Sequence, residues 1–186
     1  AVDDEILAML RRKGVTAIEL GAQSMREEVL LRCGRGHTAQ DTRDAAARIL
    51  DHGFVLGLQM MTGLPGDDDA GALSTARQLL ALGPQEMRVY PTLVLRDTPL
   101  AEAYTAGQYR PQTLDEAVAL GARLLQQIEA AGVRVLRMGL HDDHLAESVL
   151  AGPYHPAFRA LCESRLYYEN ACRAMAAAGG RIHTLI

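Results

Sequence analysis

The feature that most constrains this chain is a rhythm: four times an amphipathic run ends in glycine and an apolar run follows at once. Gly14 precedes VTAIEL, Gly53 precedes FVLGLQMM, Gly83 precedes PQEMRVYPTLV and Gly132 precedes VRVLRM. Glycine just past a helix tolerates the left-handed conformation that closes it. Helix starts alternate with these stops. Thr38 opens the run containing Ala45, Ile49 and Leu50, Asp67 opens the run ending at Leu82, and Thr113 with Glu116 forms a capping-box spacing before the run ending near Ala131. Strands are expected over Val15–Leu20, Phe54–Met61 and Met87–Val94, continuously apolar over their middles as parallel strands covered on both faces are. The chain therefore reads as α/β with right-handed crossovers. Residues 1–132 form the repeating part, and residues 133–186 read as a carboxyl-terminal extension of strand, loop and helix.

With 186 residues, 48% of them hydrophobic, the chain is long enough to bury a core without disulfides, and disorder is excluded. No apolar stretch approaches the length of a membrane span, and the opening AVDDEILAML is acidic where a secretory leader is basic. A cytoplasmic protein with no membrane partner is expected. The net charge of −4 offers no basic face for autonomous nucleic-acid binding. Cys33, Cys162 and Cys172 make neither an even disulfide set nor a CxxC pair, and read as small buried hydrophobes.

A parallel sheet carries its functional loops at the carboxyl ends of its strands. Those ends read Glu19 to Ser24, then Gln59-Met60-Met61-Thr62-Gly63-Leu64-Pro65-Gly66, then Tyr90-Pro91-Thr92-Leu93. Between the first two, Arg35 stands between Gly34 and Gly36 just before a helix start, a cation on flexible backbone suited to a carboxylate or phosphate. An ordinary glycine-rich turn would have the same composition.

The strings GAQSMREEVLLRCGRGHT, LGLQMMTGLPGD and RVYPTLVLRDTPLAEAYTAGQYRP, in this order, closely resemble radical S-adenosylmethionine (radical SAM) enzymes related to the catalytic subunit of Elongator. The first two are similar, more loosely, to oxygen-independent coproporphyrinogen III oxidase. The YPTLV block favours the Elongator-like branch. The resemblance implies a partial (β/α)6 radical SAM barrel, of which this chain corresponds to the second half plus a helical extension. It also implies S-adenosylmethionine and a [4Fe-4S] cluster on a CxxxCxxC loop as cofactors of the parent protein. That loop is not in this sequence, so neither cofactor nor catalysis is expected of the chain alone.

Carried over residue by residue, Gln23 matches the polar residue that meets the cofactor's ribose. Arg35 matches the arginine that pairs with its methionine carboxylate, a task suited to a guanidinium fork. Gln59 stands where the porphyrinogen-oxidase relatives have a ribose-binding aspartate, keeping the hydrogen bond and losing the charge. Gly63, Leu64, Pro65 and Gly66 match the segment along the adenine, and Tyr90 and Thr92 would face the substrate. The resemblance implies tRNA as the substrate class; the competing readings are haem biosynthesis and a non-catalytic α/β binding module. His37 reads as ordering its loop. His141-Asp142-Asp143-His144 has no third ligand set by spacing and reads as a solvated turn, so no metal site is expected. His155 lies in a rigid segment between Pro153 and Pro156 that docks the extension. Strand 15–20, unguarded by Pro or Lys, is expected to pair with a second copy or to be covered by Arg181–Ile186.

Overall fold

Each stop-and-start signal in the sequence becomes a helix–strand junction. In the computed structural model, which describes residues 2–140 and 146–178, the glycines at 14, 53, 83 and 132 all take φ between +73° and +79°. The elements run α1 (Asp4–Arg12), β1 (Ala17–Gln23), α2 (Glu27–Arg32), α3 (Ala39–Asp51), β2 (Val55–Thr62), α4 (Asp69–Leu80), β3 (Glu86–Pro91), β4 (Val94–Leu95), α5 (Pro99–Thr105), α6 (Leu114–Ala130), β5 (Arg134–Met138), β6 (Val149–Ala151) and α7 (Phe158–Ala178). Reciprocal capping boxes open α3 (Thr38 with Asp41) and α6 (Thr113 with Glu116). Thr38→Ala is therefore expected to cost about 1 kcal/mol, read as a lower urea midpoint at unchanged slope. The cap of α4 is Asp68, not Asp67 as the sequence suggested. Asp67 is instead turned inward to Arg26.

The four-stranded sheet has the order β1-β2-β3-β5, every pair parallel, with helices in the crossovers. The strand that begins segment 133–186 thus joins the sheet built by residues 1–132. The first strand runs to Gln23 rather than Leu20, and a register shift between Gly21 and Gln23 precedes its last pair, Gln23 with Met60. The third ends at Pro91 rather than Val94: the chain bends there, and Val94–Leu95 pairs antiparallel with β6.

Side-chain alternation, not continuous burial, governs the strands. Leu56, Leu58 and Met60 of β2 and Met87 and Val89 of β3 are buried beneath the helices with Leu7, Ile49, Leu79 and Leu124. The opposite, concave face carries Glu19, Gln59, Arg88 and Tyr90 on matching register positions. This corrects the expectation of strands apolar on both faces. The Glu19 side chain lies against Gly57, which has no side chain of its own, and Arg88 reaches the Glu19 carboxylate across β2 at 2.7 Å. Arg88 also donates to the Tyr90 hydroxyl at 3.3 Å.

Helix α7 packs on α6 and on the end of β5 through Phe158 and Cys162, both buried. Gly121 and Gly139 make room for them: a Cβ would lie 2.6 Å from Cys162 Sγ at the first and 2.7 Å from Phe158 Cβ at the second. Arg159 donates to the Val135 carbonyl at 2.8 Å, and His155 Nδ1 accepts from the Ala157 amide at the start of the helix. Burial pushes the Cys162 thiol up to about 12, which leaves it inert at neutral pH. No helix among the described residues is long and apolar enough to cross a membrane.

Candidate functional site

The carboxyl edge of the sheet is organised around Gln23. Its φ of +62° is unusual for a residue other than glycine, and the Ser24 amide donates back to the Ala22 carbonyl at 2.7 Å, closing a γ-turn with Gln23 at its centre. That turn carries the Gln23 side chain over Gly21, where a Cβ would meet Gln23 Nε2 at 2.6 Å. From there the Gln23 carboxamide oxygen accepts from Gln59 Nε2 at 3.3 Å. Two amides from adjacent strands thus meet at the rim, and among the described residues the Gln23 amino group and the Gln59 carbonyl have no further hydrogen-bond partner. Backbone strain of this kind persists only where surrounding structure over-determines it, and it concentrates at functional sites.

Arg35 stands farther along the same edge. Its Nη2 lies 3.6 Å from Met61 Sδ, two residues beyond Gln59 on β2, and no carboxylate pairs with it among the described residues. Arg35, Leu64, Pro65 and Thr92 line one cavity of about 570 Å³, with Cys33 and Tyr109. Burial pushes the Cys33 thiol up, against the pull of Arg35. Gly63 and Gly66 do not join that cavity; they line a neighbouring recess of about 680 Å³ toward α6, with Leu64 and Pro65 shared between the two. Thr92 gives its hydroxyl to the Thr62 carbonyl at 2.7 Å, tying the ends of β2 and β3 together. Tyr90 is buried beside Met61 in register on the concave face.

The Gly63–Gly66 loop is held from outside. Tyr109 donates its hydroxyl to the Gly63 carbonyl at 2.6 Å, and burial pushes that phenol up to about 12, so the donor is intact at neutral pH. Gly63 has φ +68°, and a Cβ there would lie 2.8 Å from Gln112 Oε1. Gln112 in turn accepts from Thr62 Oγ1 at 3.3 Å. Two residues earlier, Arg110 pairs with Glu116 at 2.6 Å, and Glu116 also accepts from the Thr113 amide at 2.9 Å. The Arg110 bond and then the Thr113 amide pull the Glu116 carboxyl down to about 2. Because the folded value is depressed, this pairing contributes above the ordinary glutamate range and is lost as pH falls through about 2. An NMR titration of Glu116 is expected to show its midpoint there, and Arg110→Gln is expected to move it up.

His37 donates from Nε2 to the Ala22 carbonyl at 3.2 Å, fastening its loop to β1. The sequence reading gave no weight to Glu19, Arg88 or Arg26. The signal for the first two was the period-two alternation of charge within apparently apolar strands. The segments His141–His144 and Arg181–Ile186 lie outside the described residues.

The geometry can be tested against the two cofactors the resemblance implies. Of the groups that could meet the hydroxyls and carboxylate of S-adenosylmethionine, the Gln23 and Gln59 amides meet each other at the rim, whereas Arg35 lines a cavity that neither of them lines. The cysteines do not suit a cluster: Cys33 sits after α2 half-buried, Cys162 is buried under α6, and Cys172 is exposed on α7. Among the described residues no group of three His, Cys, Asp or Glu side chains converges as a metal site.

Comparison with known proteins agrees with the resemblance. Residues 1–79 match the model of the radical SAM superfamily, and residues 84–168 match that of the radical SAM C-terminal domain. The tRNA uridine(34) acetyltransferase of Methanocaldococcus jannaschii is 34% identical over 119 residues, covering 62% of this chain and 22% of that protein. Elongator complex protein 3 of Homo sapiens is 31% identical over 156 residues, covering 82% of this chain and 28% of that protein. The solved structure of the archaeal Methanocaldococcus infernus Elp3 with an N-terminal deletion superposes with a TM-score of 0.82 at 26% identity, over 91% of this chain and 39% of that one. Escherichia coli coproporphyrinogen III oxidase shares the fold alone, at 15% identity and a TM-score of 0.57, over 70% of this chain and 30% of that one. This chain thus spans between about a fifth and two fifths of each of these four proteins. Matched along most of its length by two consecutive radical SAM models and built on the same parallel βα plan, the chain belongs to the radical SAM superfamily.

Proposed function

We propose that the whole protein is an Elongator-like radical SAM enzyme acting on tRNA, and that this chain supplies the edge that binds the nucleoside and carboxylate ends of S-adenosylmethionine. The observation that carries the reading is the Gln23–Gln59 amide pair, held at the strand ends by a strained turn. In this family the bound cofactor, reduced by one electron from its cluster, supplies a 5′-deoxyadenosyl radical. The work of this chain is orientation. Gln23 and Gln59 offer donors and acceptors to a ribose diol, Arg35 offers its fork to a carboxylate, and Gly63, Leu64, Pro65 and Gly66 present close backbone to a flat base. Tyr90 and Thr92 lie on the substrate side of that edge. The names of the two relatives that mention tRNA or Elongator support the substrate class. Three unpaired cysteines agree with a reducing, cytoplasmic setting. Among the described residues no strand pairs with the outer edge of β1, and that edge is expected to pair with a second copy or to be covered by another segment of the protein, Arg181–Ile186 included. Ultracentrifugation of the protein with and without a charge placed at Ile18 distinguishes these.

The test is anaerobic reconstitution of the whole protein with iron and sulfide, followed by measurement of 5′-deoxyadenosine formed from S-adenosylmethionine under a strong reductant. Gln23→Ala is expected to lower kcat/KM by about 3- to 10-fold, the worth of neutral hydrogen bonds to a ligand. A protein that holds its cluster yet releases no 5′-deoxyadenosine would refute the reading.

A further inference from the structure

Gln23 occupies a conformation its own residue type disfavours, so something outside the turn must hold it. The three residues that follow are all fastened to α4 or to the turn before it. Ser24 is fully buried with its hydroxyl 3.4 Å from Thr75 Oγ1, the Met25 amide donates to the same Thr75 oxygen at 3.2 Å, and Arg26 Nη1 reaches Asp67 Oδ1 at 3.0 Å. The last contact is not an ordinary surface bridge. The Asp67 side chain is only 1% exposed, its Oδ2 is buried with no hydrogen-bond partner among the described residues, and Arg26 is the cation beside it. Arg26 is itself braced by Glu28 at 2.7 Å and lies 3.6 Å from Asp68. The pair lies directly on the first turn of α4, where a Cβ on Gly71 would run into both Asp67 Oδ1 and Arg26 Nη1. Asp67 also follows Gly66 immediately. The loop after β2 therefore ends on the residue that grips the loop after β1.

We propose that the Arg26–Asp67 pair, seated on Gly71, is a latch that fixes the Gln23 turn against the Gly63–Gly66 loop, with Asp67 acting as a positioning residue for the cofactor edge. A carboxylate taken out of water, as Asp67 is, tolerates little displacement of its cation, because the attraction to Arg26 must offset the carboxylate's desolvation. Thr75 holds the segment through neutral contacts to the Ser24 hydroxyl and the Met25 amide, and the Arg26–Asp67 contact adds an anchor on the turn before α4. The functional half of the inference rests on reading Gln23 as a cofactor ligand; the mechanical half does not.

Hydrogen–deuterium exchange on the whole protein reads the mechanical half directly. Asp67→Asn is expected to accelerate exchange in the peptide over residues 20–26 by roughly tenfold while leaving β2 and α6 unchanged. Arg26→Ala should reproduce this acceleration, and Arg26→Lys, which keeps the charge without the fork, should show less of it. In the reconstituted protein, Asp67→Asn should raise KM for S-adenosylmethionine several-fold with kcat kept within about twofold, the pattern of lost positioning in binding. Unchanged exchange over 20–26 in both Asp67→Asn and Arg26→Ala overturns the latch, as does acceleration spread evenly over the sheet. If exchange responds but neither Gln23→Ala nor Asp67→Asn alters KM, the latch stands and the reading of Gln23 as a ligand falls.

Discussion

Replacing Arg35 with alanine in the whole protein is expected to lower kcat/KM for S-adenosylmethionine cleavage by about 10- to 100-fold, while the melting temperature stays within about 2 °C. The two halves of this expectation have separate physical grounds. Arg35 is exposed, sits between two glycines, and among the described residues its side chain makes a hydrogen bond only to the Met61 sulfur, at 3.6 Å, so the fold gains little from that side chain. A charge-assisted contact to a carboxylate in a partly enclosed cavity is worth about 1.5–3 kcal/mol, which sets the size of the loss. Arg35→Lys should fall between, since an ammonium keeps the charge but cannot form two parallel bonds. An unchanged kcat/KM would remove Arg35 from the proposed edge. A large drop in melting temperature would instead make it a structural residue.

The second large effect concerns the docking of α7. Gly139→Ala is expected to destabilise the protein by about 2–4 kcal/mol, because two costs fall on one atom. The residue has φ +81°, which an alanine adopts only with strain, and the new Cβ would lie 2.7 Å from Phe158 Cβ. Phe158 cannot yield easily, since it is buried and its helix is tied to Val135 through Arg159. Phe158→Ala keeps the Cβ of residue 158 and removes only the ring carbons the new Cβ would meet at 3.0 and 3.1 Å, so adding it to Gly139→Ala should cost less than the sum of the two single changes by only part of the clash. Denaturant midpoints of the four proteins in this cycle measure the coupling; strict additivity would mean that the contact at position 139 is not what seats the helix.

Much of the architecture was written in local chemistry. Glycines at 14, 53, 83 and 132 mark the helix ends because only the chain's own backbone sterics are involved, and Thr38, Thr113 and Glu116 cap helices through contacts three residues away. The parallel βα order follows from the spacing of these signals, and the family from three strings in sequence order. Strand burial was less legible. A run such as Phe54–Met61 reads as uniformly apolar, yet one face packs on helices while the other carries Gln59 toward Arg88 and Glu19, side chains contributed by neighbouring strands.

What only the tertiary structure decided are the contacts between residues far apart in the chain. Asp67 reads locally as a helix cap, but its partner is Arg26, 41 residues away, and the cap falls to Asp68. Gln23 reads as a polar strand end; its left-handed backbone and its contact with Gln59, 36 residues on, exist because Thr75 and Asp67 hold the following residues in place. The glycines at 71, 121 and 139 are likewise silent in sequence, since what excludes a Cβ there is a side chain delivered by another element. Local signals determine where elements begin and end because capping and turn energies depend on a few neighbouring residues. Which side chains meet across the sheet edge depends on how the crossovers bring the strands together, and no short window of sequence contains that information.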